Sequence, residues 1–221
     1  MESPVFSHIP ADTRLIETLA WCPEAGYADA DAHLDRMARS ARALDIPFVR
    51  GRAMRRLATV AGDRPQRCRL TLGLDGGFDV THTDISAHAP LWTLALASER
   101  LDPEDPWLRH KSTNRNLYDR ARAALPDGVQ ELIFLNRRGE LCEGTITNLF
   151  VRLDGGRQVT PPQSCGLLPG VLRGRLLAGG AWREQVLRMS DLHRAEAIWV
   201  GNALRGLIPA RFQVTDGANT A

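Results

Sequence analysis

The sequence predicts an α+β protein of two domains, and three observations predict it. Helical and alternating apolar periodicities succeed one another through the first half of the chain, as expected of helices packed on a sheet. A stretch holding two prolines and three acids, Leu101-Asp102-Pro103-Glu104-Asp105-Pro106-Trp107, then interrupts both periodicities. Beyond it, short apolar runs alternate with glycine-bearing turns, so the second half reads as strand-rich. The division expected is a small N-terminal α+β domain over residues 1–98, an interdomain connection over 99–110 and a larger C-terminal domain over 111–221.

In chain order, residues 1–12 read as an irregular lead-in, and Arg14 to Trp21 alternates as a strand. Asp29 to Leu44 is a helix: Asp29 or Asp31 can cap it, and Leu34, Met37, Ala38, Ala41 and Leu44 recur at helical spacing. His33 and Arg36 share one face of it, and the residues alone make that face a solvated one. Val49 to Ala61 reads as a second helix with Met54, Leu57 and Val60 inward. Strands at Arg67–Leu74 and Phe78–Thr83 meet across Asp75-Gly76-Gly77, a hairpin signal, and Leu91–Ala97 is a further short strand. After the proline-rich connection, Thr113 or Asn114 can cap a helix to about Leu125. Strands follow at Gln130–Leu135, Glu140–Glu143, Asn148–Leu153 and Gln158–Thr160. Gly170 opens a helix to about Ala178, Val186–Met189 reads as a strand, and Ser190 can cap a short helix. Ala197–Val200 and Leu207–Phe212 close the pattern, with a polar, frayed tail after Val214.

Composition narrows the function classes. Of 221 residues, 43% are hydrophobic and 24% charged, which suits a globular protein. The net charge is +2, and the basic residues are scattered without a stripe or an aromatic platform, so nucleic-acid binding is not expected. The four cysteines form no C-x-x-C pair and have no histidine at zinc-finger spacing, which predicts reduced thiols and no metal. With neither a signal-like start nor an apolar run of membrane length, the expected location is the cytoplasm, away from the membrane.

One compositional fact points to chemistry. Of 28 basic side chains, a single one is lysine, Lys111. Arginine keeps its proton, whereas a lysine can lose it and attack a carbonyl, so Lys111 is a candidate for an imine that arginine cannot make. Three more polar or glycine-rich stretches interrupt the apolar elements of the second half: Glu143-Gly144-Thr145-Ile146-Thr147-Asn148, Gly166-Leu167-Leu168-Pro169-Gly170, and Gly201-Asn202-Ala203-Leu204-Arg205-Gly206. Gly170-Val171-Leu172 offers backbone N–H groups at a helix start to a phosphate. Glu143 can pair with a cationic ring nitrogen. An imine-forming lysine, a phosphate cup and a pyridinium partner are together the requirements of pyridoxal 5'-phosphate.

In this order, Lys111, Glu143-Gly-Thr-x-Thr-Asn-Leu-Phe150, Gly166-Leu-Leu-Pro-Gly-Val-Leu-Arg173 and Gly201-Asn-Ala-Leu-Arg-Gly206 resemble the class IV (fold-type IV) pyridoxal-phosphate enzymes. These are the branched-chain and D-amino-acid aminotransferases and the 4-amino-4-deoxychorismate lyases. Leu15-Ile-Glu-Thr18 resembles the early strand of that family, and His33-Leu-Asp-Arg36 its helix carrying a phosphate-contacting arginine. The resemblance implies a two-domain, D-amino-acid-aminotransferase-like fold and a homodimer acting on a small amino substrate. It implies that Lys111 forms the imine and then acts as general acid and base, and that Glu143 keeps the pyridine nitrogen protonated. It implies that Arg36 and the N–H groups of Val171 and Leu172 hold the phosphate, with Asn202 and Ala203 at a further phosphate contact. Thr147 and Asn148 support the glutamate strand, and Arg205 is a candidate for a substrate carboxylate. His33 and His110 are read as structural. Lys111-Ser-Thr-Asn-Arg115 and Asn202-Ala-Leu-Arg-Gly206 bring the chain most like the aminodeoxychorismate lyases, which release 4-aminobenzoate and pyruvate in folate precursor synthesis. Transamination of branched-chain or D-amino acids, and a non-catalytic homologue with a binding or regulatory role, stay open beside that reading. One departure is expected to matter: the Arg-Gly-x-x-Tyr-Gly-Asp-Gly segment usual before the early strand is absent ahead of Leu15, where it would shape the substrate side of the pocket and the dimer.

Overall fold

The computed structural model describes residues 9–213; most of the expected lead-in and the tail after Val214 lie outside them. Mixed helices and strands are arranged in two sheets. The first sheet is antiparallel and is built from β1 (Arg14–Cys22), β2 (Gly26–Tyr27), β3 (Gln66–Gly73) and β4 (Phe78–Asp84), in the order β2-β1-β3-β4. Cys68, Leu70 and Leu72 alternate onto one face and are fully buried. Against that face packs α1 (Ala30–Ala43), through Leu34, Met37 and Ala41, with α2 (Arg50–Leu57) beside it, through Ala53 and Leu57. Gly76 takes φ 77° at the β3–β4 turn, where its hydrogen atom avoids the crowding a side chain would meet against Pro47.

The second sheet takes the remaining strands: β5 (Trp92–Leu101), β6 (Glu131–Asn136), β7 (Leu141–Gly144), β8 (Asn148–Leu153), β9 (Arg157–Thr160), β10 (Trp182–Glu184), β11 (Ala197–Asn202) and β12 (Gly206–Phe212). Their order is β10-β9-β8-β11-β12-β5-β6-β7, and β7 also pairs with β8. That extra pairing closes six strands into a small barrel-like ring whose interior is filled by Leu94, Ile133, Leu141, Leu149, Val151, Val200 and Ile208. β5 extends to Leu101, with a register shift against β6 between Leu96 and Arg100, and sits in this sheet between β12 and β6. The helices of this half are α3 (Asn116–Ala123), α4 (Val171–Ala178) and α5 (Met189–His193). Among the described residues no helix is long and apolar enough to cross a membrane.

Several local expectations change. The second helix ends at Leu57, and Met54, expected inward, is 44% exposed. Val186–Met189 forms no strand; the ladder position beside β9 is taken by β10, in parallel register with Glu184 opposite Thr160. The next residues on the β9 side are Pro161 and Pro162, which lack the N–H a longer ladder needs. Asp29 is the N-cap residue of α1, at φ 54°, but its side chain makes no capping hydrogen bond and accepts instead from Arg175 Nη1 at 2.7 Å. Neither Thr113 nor Asn114 caps α3, whose flanking residue is Arg115.

Candidate active site

Lys111 is held in place by the first sheet. Ile16 N donates to Lys111 O at 2.8 Å, Leu15 and Ser112 form an isolated bridge, and Thr113 N donates to Arg14 O at 2.9 Å. The segment carrying the lysine is thus zipped onto β1, one residue from Glu17. The amine is partly buried, and desolvation together with the Arg36 guanidinium brings it down to about 8, against the smaller opposing pull of Glu17. A lysine in that range is deprotonated in useful amount near neutral pH.

Glu17 is the residue the sequence did not single out. It is 1% exposed, Arg36 Nε donates to its Oε1 at 2.9 Å and Arg36 Nη2 to its Oε2 at 2.5 Å, and His33 Nδ1 lies 2.6 Å from Oε2. Burial opposes its ionisation, but Arg36 and the hydrogen bonds outweigh burial and hold the carboxyl near 2. His33 and Arg36 are 2% and 5% exposed, so the solvated face expected from helical spacing is instead a buried polar triad. The pattern misled because a charge on a helix face reads as outward until its partner on another element is known. His33 Nε2 is buried with no hydrogen-bond partner, and Arg36 Nη1 donates to Pro169 O at 3.2 Å, bringing α1 to the loop before α4.

Glu143 is the penultimate residue of β7, opposite Asn148 at the start of β8. Tyr118 OH donates to its Oε1 at 2.8 Å, Leu168 N to the same oxygen at 3.1 Å, and Asn148 Nδ2 to Oε2 at 3.2 Å. Burial nevertheless pushes the carboxyl up to about 7, against the hydrogen bonds and the Lys111 and Arg115 charges that favour ionisation. Three neutral donors do not replace the hydration this carboxylate has lost; a cation beside it would. Tyr118, another residue missed, is legible only once α3 is laid across β6 and β7.

The N-terminus of α4 meets this carboxylate through Asn148, whose Nδ2 also donates to Leu168 O at 3.0 Å. Val171 and Leu172 occupy the first turn, where N–H groups have no intrahelical acceptor. A methyl group on Gly170 would stand 1.9 Å from Asn148 Oδ1, so only glycine lets the helix start approach so closely. Gly201 is similarly confined: a methyl carbon added there would stand 2.6 Å from Gly206 O and 2.9 Å from Leu172 Cδ2. The Asn202 side chain organises the turn that follows: Nδ2 donates to Ile146 O at 3.2 Å, and Oδ1 accepts from Leu204 N and Arg205 N at 3.1 and 3.0 Å. Ala203 lies within that turn. Thr147 points elsewhere, its hydroxyl donating to Glu131 Oε2 at 3.0 Å.

The structure therefore gathers Lys111, Arg36, Glu143, Asn148 and the start of α4 into one cleft between the two sheets, with the Asn202–Ala203 turn tied to its edge. Arg205 faces a neighbouring cavity lined with Arg67. The donor set has a place for an aldehyde at Lys111, a cationic ring nitrogen at Glu143 and an anionic group at the α4 N-terminus beside Arg36.

Comparison with known proteins identifies the family of the chain. The profile of the family described as amino-transferase class IV matches residues 14–211. A solved structure from Mesorhizobium loti, assigned as an amino-acid aminotransferase, is 39% identical and superposes with a TM-score of 0.88, covering 91% of this chain and 100% of that one. A bifunctional aminodeoxychorismate lyase / D-amino acid transaminase of Mycobacterium tuberculosis is 25% identical over 85% of this chain and 76% of its own length. An aminodeoxychorismate lyase of Saccharomyces cerevisiae is 28% identical over 135 residues, 53% of this chain but only 36% of the yeast protein.

Proposed function

Since the chain belongs to the amino-transferase class IV family of pyridoxal-phosphate enzymes, we propose that it is a lyase converting 4-amino-4-deoxychorismate to 4-aminobenzoate and pyruvate. The observation that carries a catalytic role is the convergence of an amine brought down to about 8, Lys111, with a buried carboxyl pushed up to about 7, Glu143. The lyase reaction is favoured by the name of the yeast relative, and the bifunctional mycobacterial relative carries that activity beside D-amino acid transamination.

In this reading Lys111 would hold the cofactor aldehyde, Glu143 would pair with the ring nitrogen, and the N–H groups of Val171 and Leu172 would hold the phosphate with the Arg36 charge. The Asn202–Ala203 turn would supply a further phosphate contact. Pyridoxal phosphate, when bound, supplies an electron sink for the bonding pair released from the substrate. The residues of the chain do the rest. Lys111 Nζ, as a free base, would take the ring proton beside the substrate nitrogen and deliver it to the methylene carbon of the departing enolpyruvyl group. Glu143, ionised once a cation faces it, keeps the ring nitrogen protonated. Tyr118, Asn148 and Leu168 N–H hold that carboxylate in position. The ring C–H and the enolpyruvyl C–O bonds break, and the atoms of the substrate divide between the two products with none added. The assembly proposed is a homodimer, readable by light scattering.

Transamination is the second reading, and the Mesorhizobium relative favours it. One assay separates the two: purified protein reconstituted with pyridoxal phosphate is given 4-amino-4-deoxychorismate with no keto-acid acceptor. Pyruvate release that disappears in Lys111→Ala supports the lyase. Turnover of amino acids only when a keto acid is added, with no pyruvate from the chorismate amine, overturns it. No turnover of either kind favours a non-catalytic homologue.

A further inference from the structure

The bonds that fix Lys111 to β1 lie at its own carbonyl and beyond it, Ile16 N donating to Lys111 O and Thr113 N to Arg14 O. The chain before the lysine is held by other elements. Asp105 caps a short 3-10 helix, Pro106–Arg109, by accepting from Trp107 N at 2.9 Å, and His110 N closes it on Trp107 O at 3.0 Å. Leu108, buried within that turn, joins the apolar cluster of Leu101, Phe134 and Leu167. The chain leaves the turn in a set direction, with His110 extended at φ −118° and ψ 120°.

His110 Nδ1 then lies 2.9 Å from Ser40 Oγ. Ser40 is buried on α1. A serine inside a helix commonly turns its hydroxyl to a carbonyl one turn back, whereas this one reaches across to another element. Burial, and then Arg109, hold the imidazole below the usual histidine range, so the ring is uncharged at neutral pH. An uncharged ring pairs with a hydroxyl in either tautomer, because the hydroxyl both donates and accepts.

Ser40 follows Arg36 by four residues, on the same face of α1. The contacts therefore close a circuit. Arg36 grips Glu17 on β1, the preceding residue Ile16 binds Lys111 O, and His110 returns the chain to α1 at Ser40. Without that last link the lysine segment keeps its bonds to β1 but loses its tie to the helix. Any swing about β1 moves the amine relative to the charges that face it: Arg36 on α1, Glu17 on β1, Arg115 before α3 and Glu143 on β7. A displacement of about 1 Å is enough to slow a reaction by about a hundredfold.

We propose that His110 and Ser40 are positioning residues for Lys111: their contact fixes the lysine segment against α1 and so holds the amine at its place beside Arg36. This rests on the reading of Lys111 as the reactive amine, but not on which substrate it meets or which bond is then broken.

The test uses the full chain and does not depend on turnover. Lys111, the single lysine, is labelled with acetic anhydride across pH in cofactor-free protein and read by mass spectrometry. Ser40→Ala and His110→Phe remove the contact with little change of volume. Both are expected to raise the labelling midpoint from about 8 toward the ordinary lysine range. The sign follows from the causes of the depression: a loosened segment admits water and moves the amine from Arg36, and only the smaller pull of Glu17 opposes the rise. Imine formation with added pyridoxal phosphate, followed by absorbance, is expected to slow by about tenfold or more in both variants. His110→Asn, whose amide offers a polar atom near the place of Nδ1, is expected to restore both readings toward wild type. Wild-type midpoint and imine rate in Ser40→Ala and His110→Phe overturn the proposal. So does a His110→Asn protein no better than His110→Phe, which makes the packing of the ring the cause. A wild type that takes up no pyridoxal phosphate removes the cofactor reading of Lys111, and the labelling midpoints of the variants still decide whether His110 and Ser40 position the amine.

Discussion

Arg36 grips Glu17 with two nitrogens, Nε on Oε1 and Nη2 on Oε2, at 2.9 and 2.5 Å. The two side chains are 6% and 1% exposed, so each is the counter-charge that makes the other tolerable in the interior. Removing the carboxylate leaves a desolvated guanidinium with only Pro169 O as acceptor. Glu17→Ala is expected to cost about 3–5 kcal/mol in urea denaturation, the usual penalty for breaking one side of a buried pair. Glu17→Gln, which keeps an acceptor and the shape, is expected to cost less. A Glu17→Ala protein as stable as wild type would mean that Arg36 escapes to solvent, and that the pair does not define the floor of the cleft.

The same pair tunes Lys111. Arg36 lowers the amine more than Glu17 raises it, so neutralising both leaves burial as the main cause of the depression. In the double variant Glu17→Gln, Arg36→Met, the midpoint for acylation of Lys111 in cofactor-free protein is expected to move up from about 8 toward the ordinary lysine range. A midpoint that stays put or falls would show that Arg36 does not act on the lysine. The measurement is labelling rate against pH, read by mass spectrometry at Lys111, the single lysine of the chain.

Much of this site was legible in the sequence, and the reason is chemical. Lys111, Glu143 and Gly170 stand in segments whose composition departs from the apolar elements around them, and each offers a function that its neighbours lack. The partners were not legible. Glu17 lies in an alternating strand and Tyr118 in an amphipathic helix, where both fit the local period and announce nothing. Their roles come from register: β1 pairs with the lysine segment at Leu15–Ser112, and α3 carries Tyr118 over Glu143. The helix face of His33 and Arg36 failed for the same reason, since periodicity locates a face but not what covers it. The barrel closure was equally hidden, because the β7–β8 pairing rests on Glu143 opposite Asn148 across a turn rich in hydroxyls, with no apolar pattern to signal it.

Glu143 predicts a pH signature in cofactor-free protein. Its folded value, about 7, lies above the ordinary 4.5, so the folded state holds this proton more tightly than the unfolded state. The sign follows: the contribution to stability is full below pH 4.5 and is lost as pH rises through about 7. Glu143→Gln removes that dependence. Wild type is therefore expected to lose thermal stability between these pH values relative to the variant. Parallel curves across the range would refute the raised carboxyl.

The α4 start offers a paired test of packing against backbone conformation. Gly170 has φ −62° and ψ 144°, which alanine adopts freely, so the backbone itself is no obstacle. The obstacle is Asn148 Oδ1 at 1.9 Å from the added carbon, in a side chain already anchored to Glu143 and Leu168. Gly170→Ala is expected to cost about 1–3 kcal/mol as an overpacked site and to weaken pyridoxal phosphate binding. Gly174→Ala, within the same helix and with nothing within 4 Å of the new carbon, is expected to stabilise by about 0.5–1 kcal/mol. Thermal melts of the two variants give opposite signs if the contact, and not glycine content, governs this helix.

Glu131 carries the remaining order of the cleft wall without touching the amine. Its carboxylate is fully buried and accepts from Thr145 N at 3.0 Å, Ile146 N at 3.2 Å, the Thr145 hydroxyl and the Thr147 hydroxyl at 3.0 Å. These donors are the inner side of the turn whose outer carbonyls receive Arg115 and Asn202. Glu131→Gln replaces one acceptor oxygen by a donor, which leaves at least one buried group unpaired and is expected to cost about 1–3 kcal/mol. Because the turn braces Asn202, pyridoxal phosphate affinity is expected to fall with stability. Thr147→Val removes one donor and keeps the carboxylate, so its cost is expected at about 1 kcal/mol with cofactor affinity near wild type. Titration of both variants with pyridoxal phosphate, followed by absorbance, checks the difference. If Glu131→Gln loses stability but binds cofactor as wild type does, the turn is structural alone and the Asn202 edge of the cleft is positioned by β11 and β12.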